Sequence, residues 1–521
     1  MSGSDTGKSM RWACFAAPVL IGIDQVAALW AKNAWEVTAA QGLRTLAAVA
    51  LIAIAGPAIL SAAKTKGLFR YNLFTLLFYV AVHWDDFKDS ARLFGDLVTY
   101  GKPLAYAAFG LLAIALILWA YLRSRVFARF AVLFAALLLG STVLRMSPQL
   151  AAATASGSPP PLKPVPLPLD RVTAVEELPD IVYIVPDRYG GPSVLKEFFG
   201  FDNGPFVEAL RARGFYVAAQ ARANYPNTFQ SLASTLNMQH LDGLAEVMGP
   251  DSGDRRPVYR LIEDNLVVKT LKDLGYRYVH LGSWWDPTKH NPNADIEYLG
   301  SGNAFRTALS NLERALVVRT VFDELLDRLE KGGECLRLRQ QLSFLKNAAS
   351  DPDRPTFVFA HLLIPHSPIV MDAQGRCIEP IDYPKKRVSW SDFQKAYAGY
   401  VSYLNDELLA IFDARIAASR RPLIFVIQAD EGPFPRRLRE SGGNMDWFTA
   451  TEAELRMKYG ILNAIYFPDG DYGRLTEALT PVNNFRLIFS KILNVDLPLL
   501  EDRSFVFESA RRVYNFKEIR P

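Results

Sequence analysis

The chain has 521 residues, of which 50% are hydrophobic and 21% charged, and its formal net charge at pH 7 is +4. This length is too great for one small domain. A charge this small, with no basic run interleaved with aromatic residues in the soluble part, argues against nucleic acid binding. The three cysteines cannot build a zinc cluster, and since Cys14 lies in an apolar amino-terminal segment, Cys335 and Cys377 remain as one pair able to form a disulfide.

Apolar segments in the first 150 residues are long enough to cross a bilayer, which takes about 20 residues of helix. Basic residues flank one set of segment ends and four aspartates lie near the other, so the positive-inside rule places the amino terminus in the cytoplasm. We predict a multi-pass protein of a bacterial-type inner (plasma) membrane, with a retained first span and an extracytoplasmic carboxy-terminal domain. The five predicted spans are 12–31, 46–63, 71–84, 103–122 and 130–144.

A proline-rich tract separates this part from the rest of the chain, and its residues 159–164 favour an extended polyproline spacer. From residue 180 onward, apolar runs typical of buried strands alternate with helical patterns, which indicates an α/β domain with a mostly parallel sheet. The predicted domains are a transmembrane domain at 1–146, a linker at 147–178 and the α/β domain at 179–521.

Acidic residues follow two of the predicted strands. Asp187 comes directly after the run 181–185, and Asp430 and Glu431 close the run 422–427. Open α/β sheets bind ligands just outside the carboxyl ends of their strands, and carboxylate oxygens suit Mg, Mn or Ca. We predict that these three acids are metal ligands, while the alternative is that they form solvated or helix-capping turns.

Thr228 follows a Pro226-Asn227 turn near the start of a predicted helix, where backbone N–H groups and the helix dipole favour an anion. Its hydroxyl is predicted to ligate the metal and act as a nucleophile, unless it only caps the helix. His366 lies in a proline-flanked loop and is predicted to stabilise or protonate the transferred group, or else to be structural. His361 lies inside an apolar run and is interpreted as a core histidine.

Substrate-binding residues are predicted in the loop that follows the strand run 278–281. Its tryptophan, basic and amide side chains suit a glycerol or sugar head group and its phosphate. The alternative is that the tryptophans pack the loop against the core. The residues are Trp284, Trp285, Lys289 and Asn291, and Arg188 next to Asp187 is added to them.

The order Asp187, Thr228, His366, Asp430-Glu431 resembles the alkaline phosphatase superfamily, and more narrowly its membrane-anchored sulfatase-like branch. That branch contains lipoteichoic acid synthases and phosphoethanolamine transferases. Its catalytic Thr is followed three residues later by Ser, as Thr228 is by Ser231, and its Asp-His-Gly motif corresponds to residues 430–432. The resemblance covers residues 179–500 and implies an alkaline phosphatase-like fold with a divalent metal.

Glu431 departs from this pattern, since the family usually has His there. Glutamate is a harder, charged ligand, so Mn or Mg is favoured as the one divalent ion, with Ca or Zn as alternatives. The extra negative charge should make Thr228 harder to deprotonate. Arg188, Lys289 and Lys458 are candidates to offset that charge.

The motifs and the resemblance together lead to the hypothesis of an enzyme, namely a membrane-bound, metal-dependent phosphoryl-group transferase of phosphoglycerol or phosphoethanolamine type. Its implied partners are a lipid head-group donor and an envelope glycan or lipid acceptor. One alternative is a phosphodiester, phosphate or sulfate ester hydrolase on the same fold, although the formylglycine signature of sulfatases is absent at Thr228. The other is a non-catalytic envelope scaffold that lost its metal chemistry.

Overall fold

The computed structural model forms two compact units. One contains Met1–Gly157 with Ala308–Lys331, and the other Ser158–Thr307 with Gly332–Pro521. An apolar helical region and an α/β region with a mostly parallel sheet are therefore confirmed. The structure describes residues 3–62, 68–88, 110–116, 118, 124–155, 162, 165–169, 178–300, 308–323, 333–347, 351–384 and 388–520.

The first unit contains long apolar helices. Three of them are long and apolar enough to cross a membrane, over Phe15–Lys32, Ala39–Ala62 and Val126–Leu144. A fourth apolar helix has only 15 residues. Most of the predicted span 103–122 lies outside the described residues. Within this span, residues 110–116 are described, and they are helical. The complete bounds of these four helices are Gly3–Lys32, Ala39–Ala62, Leu68–Val82 and Ser124–Ala155.

A segment from the middle of the chain also belongs to the first unit. Its helix Asn311–Val317 carries Glu313, whose carboxylate accepts two hydrogen bonds from Arg44 at 3.0 and 2.7 Å. Leu312 on the same helix is buried against Leu29. The segment is short and mixed in polarity, so no sequence pattern separated it from the α/β domain around it.

The α/β unit is built on a seven-stranded sheet. Its strands are β1 Asp180–Pro186, β2 Tyr216–Val217, β3 Arg277–Leu281, β4 Ile296–Tyr298, β5 Thr356–Leu362, β8 Leu423–Gln428 and β9 Asn463–Tyr466, with β6 Ile369–Met371 and β7 Cys377–Ile381 forming a separate hairpin. Their order in the sheet is β2-β9-β8-β1-β5-β3-β4. The five strands from β8 to β4 are parallel. At one edge β9 runs antiparallel to β8, and β2 pairs antiparallel with β9, so β2 has the same direction as the five.

Every residue of β1, β5 and β8 is buried, which fits their nearly continuous apolar sequences, because helices cover both faces of such sheets. A second small sheet pairs β10 Ser504–Ser509 with β11 Arg512–Ile519. Cys335 and Cys377 form a disulfide. The helices of this unit are Pro192–Phe199, Gly204–Ala212, Thr228–Asn237, Leu244–Met248, Arg256–Glu263, Leu266–Asp273, Asp286–Lys289, Gly333–Asn347, Trp390–Ala418, Arg436–Glu440, Glu452–Tyr459 and Asn484–Ile492.

Candidate metal centre

Three side chains from the three central strands converge at the carboxyl end of the sheet. Asp187 directly follows β1, Asp430 follows β8 by two residues, and His361 is the last residue but one of β5. Their candidate ligand atoms all lie within 4.8 Å of one another, and all three residues are buried. The parallel pairing of β1 with both β5 and β8 explains this, because it brings the ends of the three strands to one edge.

Each of these side chains has a buried polar atom without a hydrogen-bond partner among the described residues. The atoms are Asp187 Oδ1, His361 Nε2 and Asp430 Oδ2. Buried polar atoms are nearly always hydrogen-bonded, so three orphans in one cluster require an explanation. Two carboxylates and one imidazole are a donor set that binds divalent metals. The residues present therefore fit a divalent ion.

His361 is held by the polar group on its other side. Its Nδ1 lies 2.8 Å from the Thr288 hydroxyl, which is 2.8 Å from the Ser283 hydroxyl. Its Nε2 lies 3.7 Å from Asp187 Oδ2. Burial lowers the pKa of His361 to about 3, which keeps the ring neutral. With the proton on Nδ1 facing Thr288, the lone pair of Nε2 points into the cluster, which is the usual arrangement of a metal-binding histidine.

Thr228 lies at the first turn of its helix, beside the cluster. Asn227 before it has an extended backbone, and the helix runs from Thr228 to Asn237. The Thr228 hydroxyl hydrogen-bonds the Asp430 carboxylate, and the residue is only partly buried. One turn later, the Ser231 hydroxyl donates to the Asp430 backbone carbonyl at 2.5 Å. The Thr-x-x-Ser spacing therefore attaches the helix to the strand end at two positions, through the Thr228 and Ser231 hydroxyls.

Glu431, the third acid predicted to bind metal, is outside the group whose ligand atoms lie within 4.8 Å of one another, although its Oε2 is also buried without a hydrogen-bond partner among the described residues. Its Oε1 lies 3.0 Å from both Lys458 Nζ and Arg188 Nε, and Lys458 is fully buried. The carboxylate is thus a counter-ion for two cations. Of the basic residues expected to offset its charge, Arg188 and Lys458 contact it, whereas Lys289 lies 3.9 Å from Asp286.

The surroundings of the two carboxylates in the cluster disfavour their charged forms. Burial, and secondly the charge of Asp430, raise the pKa of Asp187 well above its usual value. Burial and Glu431 raise the pKa of Asp430 to about 7, although hydrogen bonds from Thr228 and from the Arg188 backbone oppose the rise. A cation between the two carboxylates would reverse these shifts, because it favours their charged forms.

His366 and Trp284 lie next to each other, with ring centroids 6.0 Å apart and the rings nearly perpendicular. His366 is partly exposed. Desolvation, followed by the charges of Arg188 and Arg439, holds its pKa well below the usual value, so the ring is neutral.

The other residues predicted to bind substrate are buried or pack against other residues of the protein. Trp285 packs edge-on against His361, with ring centroids 5.9 Å apart. Lys289 and Asn291 are buried, and the Asn291 amide donates to the Glu263 carbonyl at 3.0 Å. Trp285 therefore packs against the core, as in the alternative given for the tryptophans, while Trp284 lies beside His366.

His361 is the residue that sequence reasoning assigned to the core and that the structure places in the cluster. The signal that could have found it is register, because Val185, two residues before Asp187, pairs with His361. A histidine near the end of an apolar strand that adjoins an acid-terminated strand is a candidate ligand.

No protein-family model and no curated protein matches this chain. Solved structures do match. The C-terminal periplasmic domain of EcEptC from Escherichia coli is 10% identical with a TM-score of 0.38, and the match covers 64% of this chain and 90% of that one. The C-terminal periplasmic domain of the phosphoethanolamine transferase EptC from Campylobacter jejuni is 10% identical with a TM-score of 0.35, covering 61% and 89%. Sulfatases are also among the similar structures.

Proposed function

We propose that this chain is a membrane-bound, metal-dependent transferase that moves a phosphoryl-linked head group, of phosphoglycerol or phosphoethanolamine type, from a lipid donor to an envelope glycan or lipid. The observation that supports it most is the Thr228 hydroxyl, on a partly buried residue, hydrogen-bonded to Asp430 beside a buried cluster in which each side chain has a polar atom without a partner among the described residues. In this proposal the α/β unit is extracytoplasmic, as the positive-inside pattern predicts.

Asp187, His361 and Asp430 would hold one divalent ion. When bound, the ion supplies a Lewis acid for the phosphoryl oxygens and for the attacking hydroxyl. With imidazole in place of the predicted Glu431, the donor set favours Mn or Zn over Mg and Ca, which prefer oxygen ligands alone.

Thr228 is the proposed nucleophile. Its oxygen forms a bond to phosphorus, the bond between phosphorus and the lipid oxygen breaks, and the head group remains on Thr228 as a phosphodiester. The proton that Thr228 loses goes to the leaving oxygen, and His366, held neutral, is proposed to relay it. In the second step the oxygen of an acceptor hydroxyl forms a bond to phosphorus, and the bond between phosphorus and the Thr228 oxygen breaks. The proton lost by the acceptor goes to the Thr228 oxygen, which restores the hydroxyl.

The scaffold alternative was motivated by the replacement of the family His with Glu431. That replacement does not leave the cluster without a nitrogen donor, because His361 brings an imidazole to it from β5, on the other side of β1. The pairing of Glu431 with Lys458 also means that its charge is neutralised.

The test is turnover by the purified full-length protein with a labelled lipid donor. Thr228→Ala should lower transfer and phosphodiester cleavage by at least about a thousandfold, since loss of a nucleophile removes the covalent route. Thr235→Ala on the same helix is the control, because its hydroxyl only bonds the Ser231 backbone. Unchanged turnover in Thr228→Ala would contradict the mechanism, and product formed without any acceptor would indicate a hydrolase.

A further inference from the structure

Arg439 is a buried cation that no described carboxylate neutralises through an ion pair. Only 8% of the residue is exposed. Its one side-chain hydrogen bond to a described residue runs from Nη1 to the Ser367 hydroxyl at 3.1 Å, and its Nε has no partner there. An unpaired buried charge is strongly unfavourable, so a fold that keeps one usually has a counter-charge for it.

The guanidinium of Arg188 lies near Arg439 and adds a second positive charge to this region. The Arg439 guanidinium lies 4.1 Å from the ring centroid of Phe393 and 5.8 Å from that of Phe434. The Arg188 guanidinium lies 3.4 Å from the same Phe434 ring. Burial and the repulsion from Arg188 lower the pKa of Arg439 to about 9. Glu431 forms an ion pair with Arg188. Arg439 forms no ion pair with the described residues, although the charge of Asp382 acts on it from farther away and partly opposes the fall in its pKa.

Arg486 is a structural arginine of the same burial, and its hydrogen bonds can be compared with those of Arg439. It is also 8% exposed, and it too forms no ion pair with the described residues. Its Nε and Nη2 donate to the Met238 carbonyl at 3.0 and 2.8 Å, and its Nη1 donates to the Pro498 carbonyl at 2.8 Å. Backbone oxygens therefore satisfy Arg486, whereas Arg439 has one neutral hydroxyl and an orphaned Nε.

The position of Arg439 connects it to the metal centre. Ser367, its hydrogen-bond partner, directly follows His366, and the charge of Arg439 acts on His366. Arg188, which shares the Phe434 ring with Arg439, donates its backbone N–H to Asp430 at 3.1 Å. An anion that contacts Arg439 would thus lie beside the proposed reaction centre.

We propose that Arg439 and Ser367 form an anion subsite that binds phosphate-type oxygens of the substrate. The planar guanidinium fork matches such oxygens, and a hydroxyl beside it adds a hydrogen bond. The subsite deepens the proposed function, and rests on it, by making a second negatively charged group a feature of the substrate that this site takes.

The experiment is thermal unfolding of the purified full-length protein, freed of divalent ions by a chelator and titrated with inorganic phosphate. Phosphate should raise the unfolding temperature of the wild type and of Thr228→Ala. Arg439→Met should weaken the apparent phosphate affinity by about 30-fold or more, the loss expected when one partner of a buried charge pair is removed. Arg486→Met, the matched control, should lower the unfolding temperature and keep the phosphate response.

Arg439→Lys keeps the charge without the fork, and it serves as a second variant if Arg439→Met does not fold. It should weaken phosphate binding while Arg486→Met does not. A phosphate response of wild-type strength in the folded Arg439 variant, or no response in the wild type, would overturn the subsite. Failure of the proposed function is distinguishable, because it would show as unchanged turnover in Thr228→Ala whatever the phosphate response.

Discussion

Asp430 and Glu431 are adjacent carboxylates at the end of one strand, and both are buried, yet their surroundings are opposite. Asp430 receives hydrogen bonds from the Arg188 backbone and from Thr228, and its Oδ2 is left without a partner beside Asp187 and His361. Glu431 has two cations 3.0 Å from its Oε1. Glu431 also has a buried oxygen without a hydrogen-bond partner among the described residues, Oε2, but it lies outside the ligand group and contacts Lys458 and Arg188 instead. Adjacent acids in a sequence therefore need not share a role.

Glu431→Gln should have the largest effect on stability, and a small one on the metal. It leaves Lys458 buried without its counter-ion, and breaking a buried pair lowers the free energy of unfolding by about 3–5 kcal/mol. Denaturant unfolding measures this loss, and elemental analysis should still find one divalent ion per chain. The double variant Glu431→Gln with Lys458→Met should recover part of the stability. Loss of the ion from a folded Glu431→Gln protein would mean that Glu431 is a ligand after all.

His361→Gln should instead have a large effect on metal binding and a small effect on stability. It removes the only nitrogen donor of the cluster and leaves the ion pairs of Glu431 intact. Removing a ligand should cost more than removing a group that only orients one, so metal affinity should fall by about 100-fold or more. Competition titration with Mn²⁺ measures the change, and exposed His290→Gln is the control. Unchanged affinity would return His361 to the core role that its sequence suggested.

Thr288→Val changes a residue that is not one of the candidate metal ligands but contacts one of them, His361. It keeps the shape of the side chain and removes the hydrogen bond to His361 Nδ1. Metal affinity should fall about 10- to 100-fold, because the ring loses the group that fixes its orientation and tautomer. The same Mn²⁺ titration applies, and an effect as large as that of His361→Gln would point to a general loss of structure.

The pH dependence should be the mildest effect. In the metal-free protein the pKa of Asp430 is raised to about 7, so the folded state holds a proton that the unfolded state has lost. The stability from this group is full below its unfolded pKa and is lost as pH rises through about 7. Metal must displace that proton. The gain in unfolding temperature on adding Mn²⁺ should therefore be larger at pH 8 than at pH 5.5, and an equal gain would contradict the assignment of Asp430 as a ligand.

Much of the fold was readable from the sequence, because parallel strands buried on both faces appear as continuous apolar runs. The strands β1, β3, β5 and β8 follow this rule. Two strands could not be found this way, since β2 has two residues and β4 has three, too few to show a pattern. The direction of β9 was also unreadable, because its apolar run looks like that of a parallel strand.

The sequence predicted those residues of the candidate site that are polar and come shortly after a strand or a turn. Asp187, Thr228 and Asp430 are polar residues in such positions. His361 was not recognised, because a histidine within an apolar strand usually belongs to the core and only its register with β1 places it near Asp187. Glu431 was assigned to the metal because it follows Asp430 at the same strand end and stands at the family's His position. Lys458 was a candidate to offset its charge, but it is 27 positions away and only the folded chain shows the two in contact.

The central claim is that Asp187, His361 and Asp430 hold a divalent ion while Glu431 holds the cations beside it. A crystal structure of the Mn²⁺-loaded protein, with anomalous scattering used to locate the metal, tests this most directly. The account predicts one anomalous peak within coordination distance of the Asp187 and Asp430 carboxylates and of His361 Nε2, with Glu431 still paired to Lys458. A peak bound to Glu431 with His361 excluded, or no peak at this cluster, would contradict it.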